Sequence, residues 1–269
     1  MKLVPKNYSQ PSIVYNVWEH PLPENFYLIG MDVAGESDTG ANSVARVWRD
    51  SPFKLVAEAV GNAKEEVWAK ELYKLGWYYS GTVMRNGKQE PYPAWIAIEI
   101  FSYGGTVLSM LLNGSELYGV QQYYHIYKMP DTENLHNNIH KPGQKFGWWA
   151  GGGDARFKRS GVLFPAGREI LELANDNPDV LPDASGIMEY MATKQYEGRP
   201  DPAPGDRIDR VVADCLARLA KKQGLCEGLY PKDSTPKKHN LDFYIEDNKI
   251  MFNPLGQPYR SRKKRRWFK

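Results

Sequence analysis

Apolar residues gather into short blocks along this chain, and their spacing changes from block to block. Residues 26–34 are nearly all apolar and rich in strand formers, which predicts a strand covered on both faces. A turn-forming stretch of Gly, Ser, Asp and Asn fills 35–43, and two more strands are expected at 44–49 and 54–60. Ser51-Pro52 supplies the turn between them, giving an antiparallel meander. The period lengthens over 64–79, where Val67, Leu72 and Leu75 recur among charges as on an amphipathic helix. After a polar loop with Pro91 and Pro93, residues 95–100 form a second near-continuous apolar strand. Gly104-Gly105 then opens a helix at 106–112, and 119–127 reads as a strand.

The pattern weakens between 128 and 205. That stretch holds a glycine run at 151–153, a helix at 168–174, a strand at 187–192 and a turn-rich segment at 198–205 with Pro200, Pro202 and Pro204. A clear helix follows over 207–222, with Ile208, Val211, Val212, Cys215, Leu216 and Leu219 on one face. Beyond Gly224 the periodicity fades. Three strands, helix, strand, helix, strand, an insertion and a last helix make an α/β protein. The expected fold is a ribonuclease H-like mixed β-sheet flanked by helices, with the insertion before the last helix. Residues 1–24, with Pro5, Pro11, Pro21 and Pro23, read as a leader or linker, 25–223 as the folded domain, and 224–269 as a polar extension.

Charge alters the picture at one end. The net charge is +3, yet residues 259–269 carry seven basic side chains and no acidic one, so the remainder sums to about −4 (3 minus 7). A mildly acidic body with a basic tail suits phosphate contact, a nuclear-import-like signal or a solubilising end. Two cysteines, Cys215 and Cys226, exclude a disulfide framework and are expected as buried thiols in a soluble, intracellular protein. No apolar run approaches the roughly 20 residues of a membrane span.

Two of the apolar strands each contain an acid, where an ionised side chain is costly without compensation. Leu28, Gly30 and Asp32 share one face of the first, and Trp95, Ala97 and Glu99 share one face of the second. Each acid sits near the C-terminal end of its run. If the strands are neighbours, the carboxylates come within roughly 5 Å of each other. A divalent ion resolves the repulsion, and Mg²⁺ or Mn²⁺ prefers such oxygen ligands. A third acid is expected from the helix after residue 205. At ~100° per residue, its apolar face centres between Ile208 and Leu219. Asp209 then lies about 90° from that centre, Asp214 about 130° on the opposite side and Asp206 about 150° away. Asp209 is placed to lean back towards the sheet; Asp206 is the alternative, and either fits equally a helix-capping role.

At these residues the chain resembles the nuclease domain of viral large terminase subunits, the DNA-packaging motors of tailed phages and herpesviruses. Leu28-Ile29-Gly30-Met31-Asp32-Val33-Ala34, followed by Gly35, is similar to the family's first strand and catalytic Asp. Ile96-Ala97-Ile98-Glu99 with Gly104-Gly105 is similar to the second acid and the glycines that open the next helix. Gly205-Asp206-Arg207-Ile208-Asp209 resembles the turn that supplies the third acid. The likeness spans residues 25–223. Two positions depart from it: Gly205 stands where the family commonly has an acid, and Arg210 where a small residue usually follows the last acid. No G-x-x-x-x-G-K-[ST] motif occurs, so the likeness concerns the nuclease half alone.

The resemblance implies endonucleolytic cutting of double-stranded DNA during viral genome packaging, in the cytoplasm of the infected host cell. It implies the terminase ATPase domain, the small terminase subunit and the portal as partners, and no membrane. Two Mg²⁺ or Mn²⁺ ions would be held by Asp32 as the bridging ligand, Glu99 on one ion and Asp209 or Asp206 on the other. Metal-bound water makes a histidine base unnecessary, and His136 and His140 read as surface residues. Arg156, Lys158 and Arg159 and the tail residues Lys263, Lys264, Arg265 and Arg266 are candidate DNA contacts. Trp148 and Trp149 read either as core or as flanks of the DNA groove. A junction resolvase or transposase-like nuclease uses the same carboxylate logic. A non-cleaving DNA-binding or capsid-docking module would not need the acids, and the long insertion disfavours an RNA-cleaving ribonuclease H.

Overall fold

The computed structural model describes residues 13–34, 42–100, 103–129, 146–148, 159–196, 199–202, 207–226, 229, 243–246 and 249–252. Side chains are not described at 159–162, 164, 193–196, 199–202, 243–246 and 249–252. The central sheet has the order β1-β4-β3-β2-β7. Its strands are β1 (Ile13–Val17), β2 (Tyr27–Asp32), β3 (Ser43–Arg49), β4 (Lys54–Gly61) and β7 (Trp95–Ile98). The meander β2–β3–β4 is antiparallel, β1 adds an antiparallel edge beside β4, and β7 lies parallel to β2. Beyond β7, two short segments continue the sheet in parallel, bridging Ile126 to Ile96 and Trp148 to Glu99. The sheet is therefore mixed, with its parallel pair β2–β7 at one end of the five-strand order, consistent with the ribonuclease H-like arrangement expected.

Each face is covered by a pair of helices. On one face, Ile29, Met31, Ala45, Val47, Ile96 and Ile98 pack against α1 (Glu65–Tyr78) and α2 (Gly104–Asn113). On the other, Leu28, Trp48, Leu55 and Ala97 pack against α3 (Arg159–Asp176) and α5 (Asp209–Lys222). The alternation in β2 and β7 decides which residues go where, because successive side chains of a strand point to opposite faces. Leu28, Gly30 and Asp32 thus face α5, together with Trp95, Ala97 and Glu99.

Several elements differ from the expectation. Ile13–Val17, within the stretch taken as leader, is an edge strand whose side chains alternate between exposed and partly buried. The loop before β7 holds a hairpin of β5 (Gly81–Arg85) and β6 (Lys88–Tyr92). The strand expected at 119–127 shrinks to single bridges at Val120 and Ile126, after a 3-10 turn at Glu116–Tyr118. Residues 187–192, expected as a strand, belong to the helix α4 (Ala184–Ala192). Asp183 caps it, accepting the Ser185 and Gly186 amides at 3.0 and 2.7 Å. Two further hairpins occur: β8 (Thr193–Tyr196) pairs with β9 (Arg199–Pro202), the latter in the stretch expected to be turn-rich, and β10 (Phe243–Glu246) pairs with β11 (Lys249–Phe252) in the polar extension.

Candidate active site

Leu28 pairs with Trp95, Gly30 with Ala97 and Met31 with Ile98, so the next step in register sets Asp32 beside Glu99. The Glu99 amide donates to the Met31 carbonyl at 3.0 Å, carrying the ladder to this step. Neighbouring strands run about 4.8 Å apart, so the two acids are lateral neighbours on one face. Asp32 is half-buried and Glu99 is 2% exposed. Trp148, buried, flanks Glu99 on the other side: its amide donates to Ile98 O at 2.7 Å and its carbonyl accepts from the Ile100 amide at 2.9 Å. Trp148 is thus a core residue rather than the edge of a groove; Trp149 lies outside the described residues.

The turn after β7 requires a glycine. A Cβ at Gly104 would stand 1.9 Å from the carbonyl oxygen of Glu99, so the start of α2 presses directly on the Glu99 backbone. At Gly105 nothing lies within 4 Å, and the second glycine of the pair is free of that demand.

Helix α5 runs antiparallel to β2. Its last turn is tied to the beginning of β2 through Asp50: Lys221 Nζ donates to Asp50 O at 2.7 Å, and the Asp50 amide donates to Phe26 O at 2.8 Å. In mid-helix the backbone of Ala213 and Ala217 lies on Gly30, whose missing side chain lets the helix sit close. From Ala213 to Asp209 is one helical turn, about 6 Å, and from Gly30 to Asp32 the strand advances about the same. Asp209, the first residue of α5, therefore stands at the end of the sheet where Asp32 and Glu99 lie. Around the helix it falls about 40° from Ala213, on the side that faces the sheet.

That geometry corrects the helical wheel drawn from the sequence. The sheet-facing stripe is Ala213, Ala217 and Ala220, small residues that permit close approach. The bulkier Val211 and Cys215, part of the apolar face read from the sequence, pack against Gly167 of α3. Asp209 lies on the alanine side of the helix, about 40° from Ala213, rather than beside the bulky stripe. Asp214, read as pointing away, is fully buried.

Asp214 belongs to a charge network that sequence reasoning missed. Arg46, fully buried on β3 opposite Gly30, lies 2.7 Å from Glu58, 2.6 Å from Asp183 and 2.7 Å from Asp214. Burial alone would lower the Arg46 pKa, and the three carboxylates more than reverse this, holding it charged. Trp48 Nε1 donates to Asp214 Oδ1 at 2.8 Å and the Tyr190 hydroxyl donates to Oδ2 at 3.3 Å. Burial nonetheless pushes the Asp214 carboxyl up to about 7 against the opposing pull of Arg46. Arg210 extends the network, its Nε 2.7 Å from Glu58 and its Nη1 2.6 Å from Glu189 on α4. Burial raises the Glu189 pKa in spite of Arg210, and nearby Asp209 adds to the rise. The available signal was a charge between small apolar residues, Arg46 between Ala45 and Val47 in β3 and Glu58 between Ala57 and Ala59 in β4, in matching register.

Donor chemistry suits a hard divalent cation at the Asp32–Glu99 pair, since carboxylate oxygens are the preferred ligands of such ions. Among the described residues, no three Asp, Glu, His or Cys side chains are grouped closely enough to hold a metal ion. Asp206, the alternative third acid, lies outside the described residues, as do Arg156, Lys158, Lys263, Lys264, Arg265, Arg266, His136 and His140. Arg159 begins α3, with its side chain not described. Cys215 and Cys226 are buried and unpaired with each other, and no described helix is long and apolar enough to cross a membrane.

Among solved structures, the chain is similar to a phage large terminase nuclease. A crystal structure of the large terminase nuclease from thermophilic phage G20c matches 77% of this chain and 88% of its own, at 16% identity and a TM-score of 0.47. The same nuclease with bound magnesium matches 77% and 87%, at 14% identity and a TM-score of 0.48. Its form with bound zinc matches 77% and 87%, at 15% identity and a TM-score of 0.44. No protein-family model and no curated protein matches the chain.

Proposed function

We propose that this chain is a divalent-cation-dependent endonuclease for double-stranded DNA, acting in viral genome packaging as the nuclease of a large terminase. The observation that carries this reading is the adjacent register of Asp32 and Glu99 on the face that α5 covers. Asp32 and Glu99, with Asp209 or Asp206, would hold two Mg²⁺ or Mn²⁺ ions. The chemistry supplied by bound ions is acidification of a water and neutralisation of charge on the leaving oxygen.

The chain's own residues do the rest. Glu99, fixed between β2 and Trp148 and backed by Gly104, presents its carboxylate from a rigid backbone. Asp209 is the first residue of α5, at the positive end of the helix dipole. An acidic strand end repels DNA phosphates until counter-charge is present, so the basic side chains have a separate task. Arg156, Lys158 and Arg159, and Lys263, Lys264, Arg265 and Arg266 of the tail, attract the duplex through its phosphates in a salt-sensitive way. The ATPase domain, small subunit and portal would deliver that duplex in the host cytoplasm.

The test is cleavage of supercoiled plasmid with Mn²⁺ or Mg²⁺. The intact protein is expected to nick and then linearise it, and Asp32→Ala and Glu99→Ala to abolish cutting with an unchanged circular dichroism spectrum. Wild-type cutting by either variant overturns the site. A strong preference for branched over linear duplex would replace packaging with junction resolution.

A further inference from the structure

Ile208 stands at the N-cap of α5 and offers no side-chain acceptor to the first turn. The acceptor comes from another helix. Glu189 Oε2, on α4, takes the Arg210 amide at 2.8 Å, while Glu189 Oε1 takes Arg210 Nη1 at 2.6 Å. The far edge of the same guanidinium donates to both oxygens of Glu58 on β4, at 2.7 and 3.3 Å. Glu58 in turn is held by buried Arg46 at 2.7 Å.

We infer that Arg210 and Glu189 are positioning residues, clamping the first turn of α5 between α4 and β4 so that Asp209 is held at the Asp32–Glu99 end of the sheet. This inference rests on the nuclease reading above. Arg210 is the residue after Asp209, so any rotation or slide of the helix that moves Asp209 must break its bonds to two separate elements. The guanidinium also lies between Glu189 and Glu58, two carboxylates that would otherwise repel each other. The network gives Arg210 a purpose: it ties the first turn of α5 to α4 and β4, where the Ile208 side chain has no acceptor to give.

Mn²⁺ binding, measured by titration calorimetry without DNA, tests this apart from catalysis. Removing a residue that orients a metal ligand typically weakens the metal about 10- to 100-fold. Arg210→Met is expected to weaken Mn²⁺ binding by at least about 10-fold and to lower kcat with little change in KM for DNA. Arg210→Lys should restore part of both. The control is Arg218→Met, which breaks the 3.0 Å ion pair to Glu169 farther along the same helix and is expected to leave Mn²⁺ affinity unchanged. Should Arg210→Met fail to fold, Glu189→Gln, which keeps an oxygen for the Arg210 amide, carries the test with an expected loss of several-fold. Unchanged Mn²⁺ affinity in a folded Arg210 or Glu189 variant overturns the clamp while leaving the nuclease intact. Equal weakening by Arg218→Met also overturns it, because the effect would then be general loosening. If the intact protein binds no Mn²⁺, the nuclease reading and the clamp fall together.

Discussion

Gly30 lies directly beneath Ala213: a Cβ on the glycine would stand 1.7 Å from the Ala213 carbonyl oxygen and 2.9 Å from the Ala217 amide nitrogen. Both obstructing atoms are helix backbone, which has no rotamer by which to give way. The depth of α5 on the sheet, and so the height of Asp209 over the strand ends, is set at this contact.

Gly30→Ala is accordingly expected to cost more than the 1–3 kcal/mol typical of an overpacked core, at least about 3 kcal/mol, or to prevent folding. Urea denaturation measures it. Stability within about 1 kcal/mol of wild type would mean that α5 does not sit on Gly30.

The two glycines after β7 should separate cleanly. Gly104→Ala drives a methyl into the Glu99 carbonyl and is expected to reduce plasmid cleavage at least about 10-fold, as a displaced ligand does. Gly105→Ala meets open space and should keep full activity, with a gain in stability of up to about 1 kcal/mol from better helix propensity. Equal activity in the two variants would detach the turn from the site.

Arg46 is surrounded by three carboxylates at 2.6–2.7 Å in a buried setting. Removing one partner of a buried ion group leaves uncompensated charge and costs about 3–5 kcal/mol. Arg46→Met is expected to fall within that range, since three acids lose Arg46 at once while Glu58 keeps Arg210. Thermal and urea unfolding check this, and a loss below about 1 kcal/mol contradicts it.

Asp214 gives a pH signature. Its carboxyl, ordinarily near 3.8, is pushed up to about 7 by burial, against Arg46 and the Trp48 and Tyr190 donors. Between those values the folded chain keeps a proton that the unfolded chain has lost, so the folded state binds more protons. Stability is then greatest at the acid end of the window and falls as pH rises towards about 7. Glu189, also raised by burial, contributes in the same sense. Urea unfolding from about pH 5 to about pH 8 should show this decline, and Asp214→Asn should flatten it. A variant with the wild-type slope would remove Asp214 as its source.

The acid pair was legible because alternation in two apolar strands fixes both face and register; neighbouring strands then do the rest. The same logic yielded β2, β3, β4, β7 and α5 within a few residues of their ends. It failed where apolar residues point outward. Ile187, Met188 and Met191 of α4 are all exposed, so their spacing mimicked a strand. In the β5–β6 hairpin most side chains from Met84 to Pro91 face solvent, leaving only the turn as a signal. Asn86-Gly87, both at positive φ (51° and 74°), is the pair that such a tight turn favours, and its meaning was available in the sequence. For α5, a wheel assumes one buried face. The helix has two, one of alanines against the sheet and one of larger residues against α3, and no single-face rule finds Asp214 between them. The Arg46 network was hidden for a related reason: charges on strands read as solvated until the register pairs them.

The most direct test of the central claim is a crystal soaked in Mn²⁺ and measured at the manganese absorption edge. Anomalous density is expected between the carboxylates of Asp32 and Glu99, with Asp209 or Asp206 as the third ligand. Manganese bound elsewhere, with that pair empty in a crystal whose protein cuts DNA, would contradict the account.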